Sequence, residues 1–395
     1  MPGSLPPDDA GATIAVELAG LGLITPLGVG AWPTFRALLA GRRVSDTTAG
    51  IEPPPHTPPE RFVRGVGSVA AVQHAATDPV VELAERAARE ATAEAGLDTA
   101  WGLPLFLGCS KGATTTLLER PGVLAAGPHG FVAAELARRM SVEPRGCFVA
   151  ACASGLAALD AAARAIRAGR CRSALVVSAE SSLTPLFIAS YQRLGVLAPL
   201  TPDGYEQRPL HPDRRGFVLA ETGAAVVLRA VDNAADAPET DAPTPHRPCP
   251  RLLFTGTAND AHDLIRCHPD LPATRHLIRH AAATLDQAPA SALAVHPHAP
   301  GTPDHDPAEQ AALDDAGRDL KMDLGRTLYA NKGALGHGLG ASGLASLVVA
   351  ALCHRTRRLP PMPWLDVPAR DLPPDTAHLV LAAGFGGHAA AALIR

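Results

Sequence analysis

Apolar residues in this 395-residue chain fall into short runs that alternate with stretches of helical period. The runs at 103–108, 147–151, 174–178 and 224–228 read as strands in the first half, and those at 252–256, 292–296 and 378–382 as their counterparts in the second. Between them 80–95, 155–168 and 338–354 carry the pattern of helices, and Gly169 sits where a left-handed C-terminal cap belongs. Strands alternating with helices predict an α/β protein with buried sheets. The stretches 1–12 and 44–60, rich in Pro, Gly and Asp, read as tails or loops. AADAPETDAPTPHRPCP at 234–250 suits neither a helix nor a central strand. It reads as a linker or surface excursion between a half spanning 1–233 and a half spanning 251–395.

One small-residue word occurs twice. ASGLAAL at 153–159 returns as ASGLASL at 341–347, with a single difference and nearly half the chain between them. Each copy opens a helix of small residues, which suits close packing of two helices at a dry centre. An internal duplication would place them side by side, with Cys152 just ahead of one and His337 just ahead of the other.

Composition narrows the class. Aromatics are only 4% of a chain that is 47% hydrophobic, so Ala, Leu and Val must fill the core. A net charge of −4 gives no reason to expect nucleic acid or an anionic membrane surface as partner. No uninterrupted apolar run reaches the ~18 residues of a membrane span. The first residues lack the basic and apolar blocks of a secretory signal, so a cytoplasmic location is expected. Seven cysteines without a C-x-x-C pair argue against a disulfide framework and against a thiolate zinc site.

Cys152, in VAACASG at 149–155, follows an apolar strand and opens a helix. A strand-to-helix elbow of small residues exposes a nucleophile and points backbone N–H groups and a helix dipole at it. Cys147 and Cys171, by contrast, read as inert packing residues. His337, in NKGALGHGLGASG at 331–343, has glycines on both sides that let other backbone or substrate approach. Lys332 is one of only three lysines in a chain that otherwise uses arginine. The cluster VHPHAPGTPDHD at 295–306, followed by Glu309, could suggest a metal, but its prolines and irregular spacing do not put ligands on one helix face. No metal is therefore expected. The pairs His262 with His268 and His276 with His280 read as surface or core.

Together these motifs resemble the β-ketoacyl synthases, the condensing enzymes of fatty-acid and polyketide synthesis, over most of the chain. VELAGLGLITPLG at 16–28 resembles the family's opening strand and turn, and ACASG at 151–155 its nucleophile elbow. RPLHPDRRGFV at 208–218 with Glu221 resembles R-P-F-D-x-x-R-D-G-F-V, and NDAH at 259–262 resembles S-D-A-x-H. Residues 298–309 resemble H-G-T-G-T-P-x-G-D-x-x-E, 332–337 match K-x-x-x-G-H, and 384–387 match G-F-G-G. The resemblance implies the thiolase fold, two duplicated α/β halves in five α-β-α-β-α layers, with the repeated helices as equivalent central helices.

It also implies roles. Cys152 would take an acyl group from a carrier-protein thioester, with the backbone N–H groups of Cys152 and Phe385 as oxyanion hole. His298 and His337 would bind a malonyl thioester carbonyl, promote loss of carbon dioxide and stabilise the enolate that attacks the acyl-cysteine. Lys332 would order His298 and Glu309, with Thr302, Gly384 and Gly386 supporting. The partners implied are an acyl carrier protein and a second ketosynthase subunit, identical or related. No cofactor is implied beyond the carrier's phosphopantetheine.

Several positions depart from the family pattern: Pro300 for the first threonine of H-G-T-G-T, Ala383 for the aromatic before G-F-G-G, His388 for the threonine after it, and a short segment before the elbow. Two other functions stay open at this level. One is acyl transfer through the same cysteine without decarboxylation; the other is a non-catalytic, chain-length-factor-like partner subunit.

Overall fold

The computed structural model describes residues 14–44, 49–50, 65–69, 77–97, 99–201, 204–205, 207–231, 249–287, 290 and 292–395. Most of the stretches read as tails, loops and linker, namely 1–12, 45–48, 51–60 and 234–248, lie outside these residues.

Two sheets organise the molecule. In the first, β1 (Ala15–Thr25), β2 (Gly28–Val29), β3 (Pro104–Gly108), β4 (Glu143–Phe148), β5 (Ser173–Glu180) and β6 (Thr222–Val231) lie in the order β2-β1-β6-β5-β3-β4. In the second, β7 (Leu252–Asn259), β8 (Ala292–His296), β9 (Thr376–Gly384) and β10 (His388–Ile394) lie in the order β7-β10-β9-β8. The path β1-β6-β5-β3 runs antiparallel, antiparallel, parallel. The path β7-β10-β9-β8 repeats those directions. Within each half the first strand pairs with the last, so the halves share one topology. The duplication suggested by the repeated word is thus a duplication of fold.

Five helices complete the layers: α1 (Pro79–Glu94), α2 (Ser154–Arg167), α3 (Pro272–Gln287), α4 (His305–Leu320) and α5 (Ser342–Thr356). α1 covers the outer face of the first sheet and α3 that of the second, while α2 and α5 pack on each other and on both sheets. This is the expected α-β-α-β-α thiolase arrangement. α5 is buried at every position from Ser342 to Cys353, so it is apolar all round rather than amphipathic. By length and composition 339–356 could cross a membrane, yet 83% of it is buried inside the protein, as befits a central helix.

Glycine sets the distance between the central helices. A Cβ on Gly155 would lie 3.0 Å from Leu344 Cβ and 3.1 Å from the Gly340 carbonyl oxygen, and one on Gly343 would lie 2.9 Å from Leu156 Cγ. The repeated word thus supplies the contact that joins the halves.

Three local expectations need correction. The strand expected at 147–151 ends at Phe148, because Ala151 turns into the left-handed region with φ 47°. The helix expected from 338 begins at Ser342, after a separate turn at Leu339–Ala341. Cys147, expected to be a buried packing residue, is exposed on the edge strand β4. Gly169 does take the left-handed conformation expected of it, with φ 68°.

Two measurements follow from this packing. Gly155→Val should destabilise the protein by about 1–3 kcal/mol through overpacking, read as a lower urea midpoint at unchanged slope. The second concerns His296 on β8 and His378 on β9, both completely buried, with His296 Nε2 3.2 Å from His378 Nδ1. Burial lowers both pKa values, that of His296 to about 3. The fold therefore keeps these imidazoles neutral where an unfolded chain, titrating near 6.5, binds protons. Stability should fall as pH drops below about 6.5, by up to about 1.4 kcal/mol per pH unit for each histidine. Melting temperatures from pH 7.5 to 5.5 check this, and His378→Leu should flatten the slope.

Candidate active site

The elbow between β4 and α2 is pinned by one serine. Ser154 Oγ accepts a hydrogen bond from the Ala150 N–H at 2.9 Å and donates to the Ala151 carbonyl at 2.6 Å. This bonding supports the left-handed Ala151, a conformation that is strained for a residue with a Cβ. Cys152 then stands at the N-terminal end of α2, partly open to solvent. The end of β9 presses against it: a Cβ on Gly384 would lie 2.8 Å from the Cys152 nitrogen and 2.9 Å from the Ala150 oxygen. Only glycine lets the two segments meet this closely.

The two histidines come from loops of the second half. His298 follows β8, and Glu309 on α4 holds its loop by accepting from the His298 and Ala299 N–H groups, each at 2.7 Å. His337 precedes α5. Its N–H donates to the Val218 carbonyl at 2.8 Å, its Nδ1 lies 2.8 Å from Ser342 Oγ, and the Phe217 ring meets it edge-on at 4.6 Å. The imidazole rings of His298 and His337 are 5.6 Å apart. The segment at 207–218 braces both loops. Gly216 N–H donates to the Gly301 carbonyl at 2.8 Å, Leu210 N–H donates to Asp306 Oδ2 at 2.8 Å, and Asp306 Oδ1 accepts from Gly301 N–H at 3.0 Å.

Burial decides the charges here. It lowers the pKa of His298 and of His337 well below the usual value, and Lys332 lowers both further, so both rings are neutral. Lys332 is 2% exposed, its Nζ makes no hydrogen bond among the described residues, and burial brings its pKa down to about 8 against the opposing pull of Glu309. Burial pushes the Cys152 thiol up to about 12, with Lys332 acting in the other direction. The resting site therefore holds a thiol beside two imidazoles that can accept a proton.

All this surrounds a cavity of about 410 Å³. Cys152, His298, His337, Thr302, Gly384 and Phe385 line it, whereas Lys332, Glu309 and Gly386 do not. Tyr191, Leu194, Val196 and Phe217 supply an apolar wall, and the exposed Arg193 and Arg266 stand at its opening. Pro300 and Ala383 also face the cavity. His388 sits elsewhere, with its Nδ1 3.1 Å from Asn259 Nδ2, which also donates to the Gly386 carbonyl at 2.9 Å. Among the described residues no three His, Cys, Asp or Glu side chains converge as metal ligands.

Two cavity residues have no role in the sequence-based assignment. His305 is 4% exposed and packs its ring 4.9 Å from that of His298, and its Nδ1 lies 3.4 Å from Cys267 Sγ. Burial opposes charge on His305, but Cys267 and Glu309 outweigh it and raise its pKa to about 10. Burial likewise works against the Glu309 carboxylate, yet His305 holds its pKa below the usual range. A signal for His305 exists in the sequence: it stands where the T-P-x-G-D pattern has glycine. For Cys267 there is none.

A two-half α/β protein with a cysteine at one central helix and paired imidazoles from the opposite half is built for acyl-thioester condensation. The sequence models of the β-ketoacyl synthase N-terminal and C-terminal domains match residues 14–234 and 251–366, and the chain belongs to the β-ketoacyl synthase family. It is 24% identical to a 3-oxoacyl-[acyl-carrier-protein] synthase 2 of Coxiella burnetii, over 94% of this chain and 96% of that protein. It is 27% identical to a putative polyketide β-ketoacyl synthase 1 of Streptomyces cyaneus, over 97% and 98%. Among solved structures it superposes on a chain from a type II polyketide acyl-carrier protein in complex with its ketosynthase bound to the hexaketide. That match has a TM-score of 0.80 at 20% identity, over 97% of this chain and 100% of the other. The ishigamide ketosynthase/chain length factor matches with a TM-score of 0.75 at 23% identity, over 97% and 99%.

Gly384→Ala tests the elbow contact. It should lower acylation of Cys152 by roughly 10²-fold, the cost of displacing a reacting group by about an ångström, together with a lower melting temperature from about 1–3 kcal/mol of overpacking.

Proposed function

We propose that this chain performs a decarboxylative Claisen condensation, joining an acyl group held on Cys152 to a malonyl unit delivered by an acyl carrier protein. One observation carries this reading: a half-buried cysteine at a helix N-terminus shares one cavity with two neutral imidazoles. In the first half-reaction the thiol loses its proton to an imidazole and the sulfur attacks the carrier thioester. The tetrahedral oxyanion meets the backbone N–H groups of Cys152 and Phe385, a single such donor being worth roughly 3–4 kcal/mol of barrier. The pantetheine thiol leaves, and acyl-Cys152 remains.

In the second, His298 and His337 donate hydrogen bonds to the malonyl thioester oxygen. A Ser342 hydroxyl that donates to His337 Nδ1 keeps the ring proton on Nε2, on the side of the cavity. Carbon dioxide departs, the enolate is held by two neutral donors in a dry site, and its carbon attacks the acyl-cysteine carbonyl. The carbonyl's bond to Sγ breaks, so that Cys152 leaves as the thiolate and is reprotonated, and the β-ketoacyl carrier is released. Lys332 and Glu309 act by field and by loop anchoring, with no contact to substrate. Thr302 faces the cavity where the pantetheine arm would lie. No cofactor of the enzyme's own enters these steps, and no metal does.

The exposed Arg193 and Arg266 at the opening suit an acidic carrier. The edge strand β4, with Cys147 and the 54% exposed Val149 at its end, suits a second ketosynthase subunit that would cover it. The proposed division of the chain into halves at 1–233 and 251–395 is supported by the two sheets, whose strands lie within 15–231 and 252–394. All seven cysteines are free, in keeping with a cytoplasmic enzyme.

The test is intact-protein mass spectrometry with acyl-loaded carriers of several lengths, then with malonyl-carrier added. The wild type should gain one acyl mass, absent in Cys152→Ala, and should release a β-ketoacyl carrier. His298→Ala and His337→Ala should each slow carbon dioxide release by roughly 10²–10³-fold while acylation persists. Acylation without carbon dioxide release would turn the assignment to simple acyl transfer. No acylation with any carrier would turn it to a partner subunit.

A further inference from the structure

The cavity of Cys152 holds a second thiol that the proposed condensation leaves unused. Cys267 lies on the connection between β7 and α3, half-buried, and lines the same cavity. His305 Nδ1 is 3.4 Å from its sulfur, and the opposite ring nitrogen, Nε2, is 3.5 Å from Glu309 Oε2. Sulfur, imidazole ring and carboxylate thus stand in the order of a nucleophile, the group that holds its proton and the group that orients that ring. His305 and Glu309 are 4% and 1% exposed, and Glu309 is itself fixed by the two backbone N–H groups it accepts from. The imidazole also holds its proton into the alkaline range, as a ring flanked by a sulfur and a carboxylate should.

We propose that Cys267, His305 and Glu309 form a second acyl-accepting site, in which Cys267 takes an acyl group from a thioester. In the reacting form Cys267 is the thiolate and its proton already rests on His305 Nδ1, in an imidazolium paired with Glu309, and the sulfur attacks the thioester carbonyl. The carbonyl–sulfur bond of the donor breaks, and its thiolate leaves with the proton from His305. A thioester and a thiol give a thioester and a thiol, so no oxidant or further reactant is needed. The donor can be a carrier-bound pantetheine thioester or acyl-Cys152 itself across the cavity. The proposal rests on the reading above only in taking acyl thioesters as the substrates.

The probe is octanoyl-pantetheine with Cys152→Ala protein, followed by intact mass and peptide mapping. One octanoyl group should appear on Cys267, vanish in Cys152→Ala/Cys267→Ala, and form roughly 10²-fold more slowly in Cys152→Ala/His305→Gln. No adduct on Cys152→Ala, an equal adduct on the exposed Cys147, or an unchanged rate with His305→Gln would overturn the proposal. Because replacing a buried histidine can unsettle α4, a second measurement uses the wild type. Iodoacetamide should label Cys267 faster than Cys147 although Cys267 is the less exposed; equal or slower labelling would overturn the proposal as well. Cys267→Ala separates the two readings. If it forms acyl-Cys152 but yields no β-ketoacyl product, while Cys267 accepts octanoyl in Cys152→Ala, the second site stands and also takes part in condensation.

Discussion

The contact between α2 and α5 is the constraint on which the other features depend. Each half contributes one helix to a layer between two sheets; α5 has no polar face to give to water, and α2 keeps only a narrow one at Asp160, Arg164 and Arg167. Gly155 and Gly343 remove the Cβ atoms that would hold the pair apart. The loops at the N-terminal ends of both helices are then drawn to one point. Cys152 belongs to one loop and His337 to the other, so a packing requirement of the core fixes the geometry of the site. Ser178 adds to this. Its hydroxyl bonds both the Gly108 carbonyl of β3 and the Gly340 carbonyl ahead of α5, stitching the first half to the second beside the elbow.

Burial then sets the chemistry. A cavity closed by Phe217, Tyr191 and the end of β9 excludes enough water that a lysine, three histidines and a cysteine all shift. They do not shift together. His298 and His337 have no carboxylate against them and become neutral, whereas His305 has Glu309 and Cys267 and becomes charged. One low-dielectric pocket thus contains neutral and charged imidazoles whose rings are 4.9 Å apart, separated in function by a single carboxylate.

Much of this was legible in the chain. The duplicated word announced the central helices because small residues at a helix–helix contact are a sequence-local requirement. Cys152, His298, His337 and Phe385 were legible because each sits in a glycine-rich or strand-end motif with fixed spacing. The strand β10 was not, since HAAAALI carries no alternation and only one β-branched residue, Ile394, and owes its form to pairing with β7 and β9. The end of β4 was misplaced because Ala151 takes a left-handed turn that alanine does not advertise. Cys267 was invisible for a different reason: its partner His305 lies 38 residues away, and only the folded loops bring sulfur and imidazole together.

The substitutions around the cavity form a connected set. Glu309 anchors the His298 loop through two backbone bonds, and its remaining interactions must serve both Lys332 and His305. A glycine at position 305 would leave the carboxylate to the lysine. The imidazole instead takes a share of it, and the buried ammonium makes no hydrogen bond among the described residues. Burial depresses the lysine to about 8, while Cys267 and Glu309 elevate the histidine. Positive charge is thereby added at a residue that lines the cavity. A cationic ring beside His298 raises the cost of protonating His298, which reinforces the neutral donor that the proposed enolate step calls for. The same ring holds Cys267 at the cavity wall. In this chain the departure at 305 therefore acts on both thiols, one through His298 and one by direct contact.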